Sequence, residues 1–257
     1  MEITKEEYER ILTAVEKAEL RAKRAKAVNE CNNIASKFWW YHQNFRDDLV
    51  ISEGLWARKS PDIHAEYGFS GKYNGYDNVK KFNEGRPCPK GKMLFHPLNT
   101  PVIEVAGDGK TAKGVWLIHG YEGGSVPEKG SKGVFLKAPA YKGTKVWCYF
   151  TWAKLAIDFI EEDGEWKMWH FHIYDYARAT FDEDWVRFMQ KDSIDTTQSD
   201  KKGHPIKFSD DKGNIVYMEE ADEPPTYRWV YNGFDSKEEL VPRPPVPYET
   251  FDKSTEY

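Results

Sequence analysis

The sequence predicts an α+β fold in which helices come first and long antiparallel hairpins follow. Three observations carry this prediction: apolar residues at three- and four-residue steps as far as Trp56, β-rich runs between Leu94 and Tyr176, and Asp-Gly turns that join those runs in pairs. Helices grouped ahead of paired strands imply a sheet with its helices on one face.

From Thr4 to about Ala27, Tyr8, Ile11, Leu12, Val15, Ala18 and Ala22 fall at helical spacing with charges between them, so residues 1–29 read as an N-terminal amphipathic helix. A second stripe, Ile34, Phe38, Tyr41, Phe45 and Leu49, predicts a further helix, and Pro61 closes a region of two or three helices. Ile63 to Phe69 reads as a short strand, followed by a turn at Gly71 and Gly75 and a short helix carrying Val79 and Phe82. Leu94 to Val105 and Thr111 to Tyr121 form a hairpin around Asp108-Gly109, because Asp-Gly tolerates positive φ. Gly120 to Gly143 is a glycine-rich excursion, and Lys145 to Glu161 pairs with Glu165 to Tyr176 around Asp163-Gly164. Residues 30–190 are thus the globular domain. Residues 191–257, polar and carrying Pro242-Arg243-Pro244-Pro245-Val246-Pro247, read as an arm held by Tyr227, Trp229, Tyr231 and Phe234 to its own domain or to a partner.

Composition narrows the function. A net charge of −5, from 37 basic and 42 acidic residues, gives no basic excess for a phosphate backbone, so no nucleic-acid partner is expected. No apolar run of about 18 residues exists for a membrane span, and the charged start is unlike a signal peptide, so the chain reads as cytoplasmic. Cys31, Cys88 and Cys148 lack zinc or disulfide spacing, and Cys148 is read as a small buried or half-buried thiol ahead of a nucleophile. Dinucleotide, P-loop and serine-hydrolase motifs are missing, so no cofactor is expected. The 10 Trp, 15 Tyr and 14 Phe suit either a cavity for a ring-bearing ligand or a broad interface.

The order of helices, the segment Phe69-Ser70-Gly71-Lys72-Tyr73-Asn74-Gly75, a short helix and two Asp-Gly hairpins resembles the SnoaL-like group of the nuclear transport factor 2-like superfamily. Asp158 to His170, with an acidic-Gly turn and Trp166-Lys167-Met168, resembles its later strands, and the likeness covers roughly residues 30 to 185. It implies a cone-shaped α+β barrel, a strongly curved antiparallel sheet wrapped by helices around a ligand cavity, and a homodimer or higher homo-oligomer joined through the sheet. The group holds dehydratases, cyclases, isomerases, aromatic formaldehyde-lyases and non-catalytic binders, so fold alone assigns no chemistry.

Candidate chemistry lies on the hairpins. With a two-residue loop at Asp108-Gly109, Leu98 faces His119 and His96 becomes its diagonal neighbour on one wall, where two imidazoles can move protons near neutral pH. A one-residue shift separates them. A dehydratase of the group uses histidines on neighbouring strands with a helix-borne tyrosine and an acid, so His96, His119 and Tyr41 resemble its counterparts. Asp47 and Asp48 lie beyond Tyr41 and do not match the acid. In the second hairpin, Glu162 opposite Glu165 places Trp152, Lys154, Asp158, Trp169 and Phe171 on one face, an acid and a lysine among aromatics. His170 and His172 share the other face at a spacing metals sometimes use, but no third ligand is suitably placed, so no metal is expected. The catalytic candidates are therefore Tyr41, His96, His119, Lys154, Asp158 and His172, with Phe38, Phe45, Trp116, Trp152, Trp169 and Phe171 as substrate-binding candidates. The expected activity is cofactor-independent elimination of water or formaldehyde from a hydrophobic aromatic molecule, plant-phenolic or lignin-derived. A non-catalytic binding cone and a cyclase or isomerase with the same pocket are the alternatives. Each polar candidate also has a plainer reading as a satisfied surface, edge-strand or salt-bridged residue.

Overall fold

The computed structural model of the chain describes residues 3–68, 70–86, 91–125, 143–180, 207–209, 215–217, 219–227, 234 and 237–257. A single 39-residue helix, α1 (Lys5–Gln43), opens it, begun by a capping box in which Thr4 and Glu7 satisfy each other's backbone N–H groups. The two predicted stripes lie on this one helix, because no proline or glycine interrupts residues 28–43. The first stripe is exposed at Tyr8, Ile11 and Val15; of the second, Phe38 is buried, Ile34 and Tyr41 are half-buried and Leu49 falls on the next helix, and the buried row of α1 is Ala27, Cys31, Ala35 and Phe38. Phe45, expected to extend the second stripe, sits beyond the helix end at φ 54°, where the chain turns into α2 (Asp47–Ser52).

The remaining described elements are β1 (His64–Tyr67), β2 (Gly71–Asn74), α3 (Gly75–Glu84), β3 (Met93–Phe95), β4 (Leu98–Val105), β5 (Thr111–Ser125), β6 (Val146–Glu162) and β7 (Glu165–Thr180). One sheet runs β2-β1-β7-β6-β5-β3, with β4 also paired to β5. The α+β arrangement is as expected, and the structure adds two details to the mostly antiparallel sheet. The β1 to β7 pairing is parallel, since no hairpin joins strands so distant in sequence, and the sheet stays open between β2 and β3. Both Asp-Gly turns form, with Gly109 at φ 70° and Asp163 and Gly164 at φ 55° and 81°. β8 (Lys207–Ser209) and β9 (Ile215–Tyr217) make a separate two-stranded sheet. Residues 126–142 of the glycine-rich excursion, Cys88, Trp229 and Tyr231 lie outside the described residues.

The core between α1, α3 and the inner sheet face is rich in aromatic side chains, among them Phe38, Trp39, Trp56, Tyr67, Phe82 and Phe171. Phe38 packs on Phe171 with ring centroids 4.7 Å apart, and Tyr67 on Phe82 at 4.4 Å. Described residues near the C-terminus cover part of the outer face. Tyr227, Val241 and Tyr257 pack on Val115, Ala156 and Tyr174, and the backbone N–H groups of Gly107 and Asp108 donate to Tyr248 and Glu249 carbonyls.

Candidate active site

Two β-bulges decide which predicted residues meet. Val105 faces Ala112, the register expected from the Asp108-Gly109 turn, and it continues to Val102 opposite Val115. Thr100, at φ 47°, and Pro101, which has no N–H to donate, then stand opposite Trp116 alone, so Leu98 faces Ile118. That one-residue shift separates the proposed dyad. His96 falls on the inner face, whereas His119 is exposed on the outer face, where its Nδ1 lies 3.1 Å from Asn99 Nδ2.

The second hairpin repeats the pattern. Glu162 faces Glu165 as expected, but Trp169 bulges from β7, so Asp158 faces His170 and Ile157 faces Phe171. Phe171 therefore turns into the core, away from Lys154 and Asp158. Those two share the outer face with His170, His172 and Tyr174 under the C-terminal residues.

On that outer face Asp158 accepts hydrogen bonds from Lys113 Nζ at 2.8 Å and Tyr257 N at 3.0 Å, and its Oδ2 lies 2.9 Å from His170 Nδ1. Lys154 donates to the Val241 carbonyl, and His172 Nε2 lies 3.0 Å from Glu66, which also accepts from Thr226. Lys154, Asp158 and His172 are therefore covered and partnered within the chain. The aromatic candidates do not come together at one site. Phe38 belongs to the core, Trp116 donates to Asn32, Trp169 donates to the Pro61 carbonyl, and half-buried Trp152 lies on the outer face beside Phe150. Tyr41 donates to Glu53 at 2.6 Å, a bond that raises its pKa, so its hydroxyl is directed at the α1 to α2 corner. At about 100° per residue it is His42, next along, that turns inward.

The inner face carries a different constellation. A narrow cleft is lined by Trp39 and His42 of α1, Arg86 after α3, His96 beside β3, Glu122 of β5, and Asp175 of β7. The end of α1 fixes His96 through its backbone: Trp39 Nε1 donates to the His96 carbonyl and His96 N donates to Gln43 Oε1. Gly120 permits the close crossing, since a Cβ there would collide with the Phe95 carbonyl. His96 is 6 % exposed, and its Nε2 lies 3.3 Å from Glu122 Oε1 without an aligned hydrogen bond. Across the cleft, His42 Nδ1 lies 2.8 Å from Asp47 Oδ1, and Arg86 Nε lies 3.4 Å from Asp47 Oδ2.

Electrostatics sort these groups. Burial holds the His42 pKa down, with the Arg86 cation adding to it and Asp47 opposing, so the ring stays neutral near pH 7. Burial disfavours the Asp47 anion, but Arg86 and His42 outweigh it and keep the carboxyl below its ordinary range. His64 is also lowered, by burial and by neighbouring His170. The unfolded chain therefore binds more protons at these histidines, and the stability they contribute is full above their ordinary value of 6.5 and lost as pH falls below it. We expect a lower denaturant midpoint at pH 5.5 than at pH 7.5; equal midpoints would show that both rings charge without cost.

Of the predicted residues, the cleft thus keeps His96 alone. His42, Arg86, Glu122 and Asp175, which line the cleft, and Asp47, which holds His42 and Arg86 there, were not among the sequence candidates. Cys31, Ala35, Phe38 and His42 share the 4-3-4 spacing of a buried stripe, which could have found His42. Among the described residues no group of three or more His, Cys, Asp or Glu is arranged to hold a metal, and no helix is long and apolar enough to cross a membrane.

The fold and cleft define an open α+β cone, and the family follows from sequence. The SnoaL-like domain family matches residues 23–172, more than half of the chain, and the chain belongs to that family. Similar solved structures include a hexachlorocyclohexane dehydrochlorinase, LinA-type3, from Novosphingobium barchaimii LL02, at 12% identity, covering 64% of this chain and 96% of that one, with a TM-score of 0.47. A putative scytalone dehydratase from Novosphingobium aromaticivorans DSM 12444 is 11% identical over 64% of this chain and 93% of that one, with a TM-score of 0.46. An NTF2-like protein of unknown function from Pseudomonas putida KT2440 is 14% identical over 59% of this chain and 89% of that one, with a TM-score of 0.40. Likenesses this distant carry no argument about chemistry. No curated protein matches the chain.

Proposed function

We propose that the chain is a lyase that works by proton transfer in the inner cleft, with His96 as the base or acid and no cofactor required. The observation that carries this reading is the His96 ring: buried, fixed through its own backbone, 3.3 Å from the Glu122 carboxylate, and with Nε2 making no hydrogen bond among the described residues. A buried polar atom of that kind is offered to a ligand. Glu122 steadies the imidazolium that forms when His96 takes a proton. Neutral His42, oriented by Asp47, can hold a departing oxygen by a hydrogen bond while the proton taken up by His96 is passed on to that oxygen, and Arg86 adds positive field for developing negative charge. The substrate class is a small hydroxylated aromatic, because Trp39, Leu94, Ile118 and Ile173 supply the apolar walls.

The test incubates the full chain with hydroxylated mono- and diaryl compounds and follows product mass. A loss of water or formaldehyde that requires His96, and disappears in His96→Gln, supports the reading. Binding without any mass change would move the protein to the family's non-catalytic binders, and a product of unchanged mass would indicate isomerisation or cyclisation.

A further inference from the structure

The first half of α1 leaves the domain. Its inward contacts begin with Leu20, which lies against the Gly109 turn, followed by Lys23 Nζ on Glu161 at 2.6 Å and Arg24 on the Val105 carbonyl at 2.7 Å, while Lys5 to Lys23 remain exposed. Yet this segment carries a row of apolar side chains, with Tyr8 60%, Ile11 49% and Val15 46% exposed. The row does not continue the domain's own contact face. At about 100° per residue it points roughly 180° away from Ala27, Cys31, Ala35 and Phe38. Tyr8, Ile11, Val15, Ala18 and Ala22 are spaced 3-4-3-4, the seam of a heptad repeat.

We propose that this seam binds the same seam of a second copy, in antiparallel orientation about a two-fold axis near Thr13. In that register Ile11 meets the partner's Val15, and Tyr8 meets the partner's Ala18. The flanking charges choose the direction. Antiparallel pairing sets Glu7 beside the partner's Arg21 twice, once on each side of the axis. Parallel pairing would set Arg21 beside the partner's Lys26, like charge on like. Antiparallel pairing also places the two domains at opposite ends of the helix pair, free of each other. The interface is isologous and closes at two copies. It differs from a dimer joined through the sheet, where Tyr227, Val241 and Tyr257 already cover part of the outer face.

The test measures the mass of the full chain by light scattering across a concentration series. We expect a dimer for the natural sequence and a monomer for Ile11→Glu combined with Val15→Glu. Both side chains are solvent-exposed in the single chain, so the double variant keeps the folded domain, read from its near-ultraviolet circular dichroism. Lys5→Glu and Glu19→Lys, at positions that the same antiparallel register sets side by side across the pair and that take no part in the capping box, should each weaken the dimer several-fold, and the two together should restore it. A natural chain that stays monomeric, or a dimer that survives the double substitution, overturns the proposal. Failure of the charge pair to restore the dimer overturns the antiparallel register.

Discussion

Replacing Asp158 with alanine is expected to be the most damaging single change in the domain. The carboxylate is fully buried and accepts from Lys113 and Tyr257 while facing His170, and Lys113 is itself buried between the Phe251 and Tyr257 rings, at 4.9 and 4.6 Å from their centroids. Removing one partner of a buried ion pair strands the other charge, at a cost of about 3–5 kcal/mol. For a chain of this size that corresponds to a fall in melting temperature on the order of 10 °C. Calorimetry of Asp158→Ala checks it, and a loss within about 1 kcal/mol, the range of exposed pairs, would show that solvent reaches the network. Surviving folded protein should retain its activity per active molecule, because Asp158 lies on the face opposite the cleft.

The second large effect is on catalysis. His96→Gln keeps a polar side chain of similar length but cannot exchange a proton near neutral pH, so the rate should fall by about 10²–10⁴. The backbone bonds of residue 96 to Trp39 and Gln43 do not depend on its side chain, so stability should be nearly unchanged. His119→Gln is the contrast: an exposed ring paired with Asn99 should be replaceable without loss of rate. Equal losses in both variants would restore the histidine dyad that the Thr100 bulge separates.

Much of the scaffold was legible because its signals are local. The Asp-Gly turns, the long strands and the helices before them follow from residue spacing and positive-φ tolerance, and both hairpins leave their turns in the expected register. The site was less legible because each hairpin slips register farther along, the first once, beside Thr100 and Pro101, and the second twice, at Asp158/Phe159 and again at Trp152/Ala153. Pro101 hinted at the first, since proline cannot donate in a ladder, but nothing about Trp169 distinguishes a bulged residue from a paired one. One residue of slip moves every later side chain to the other face. It sent His119 outward and parted Phe171 from Lys154 and Asp158. His42 was passed over for Tyr41 because two overlapping stripes run along α1, and only packing shows which is buried. Asp47, Arg86 and Glu122 come from three separate elements whose convergence no spacing encodes.

The central claim is that ligand binds in the inner cleft. Nitrogen NMR of the histidine rings in the full chain, titrated with the hydroxylated aromatic panel, tests it directly. The account predicts that a bound compound shifts the His96 and His42 rings and leaves His119, His170 and His172 in place. Shifts at His119 or at the outer-face rings with His96 unmoved, or no shift with any compound, would contradict it.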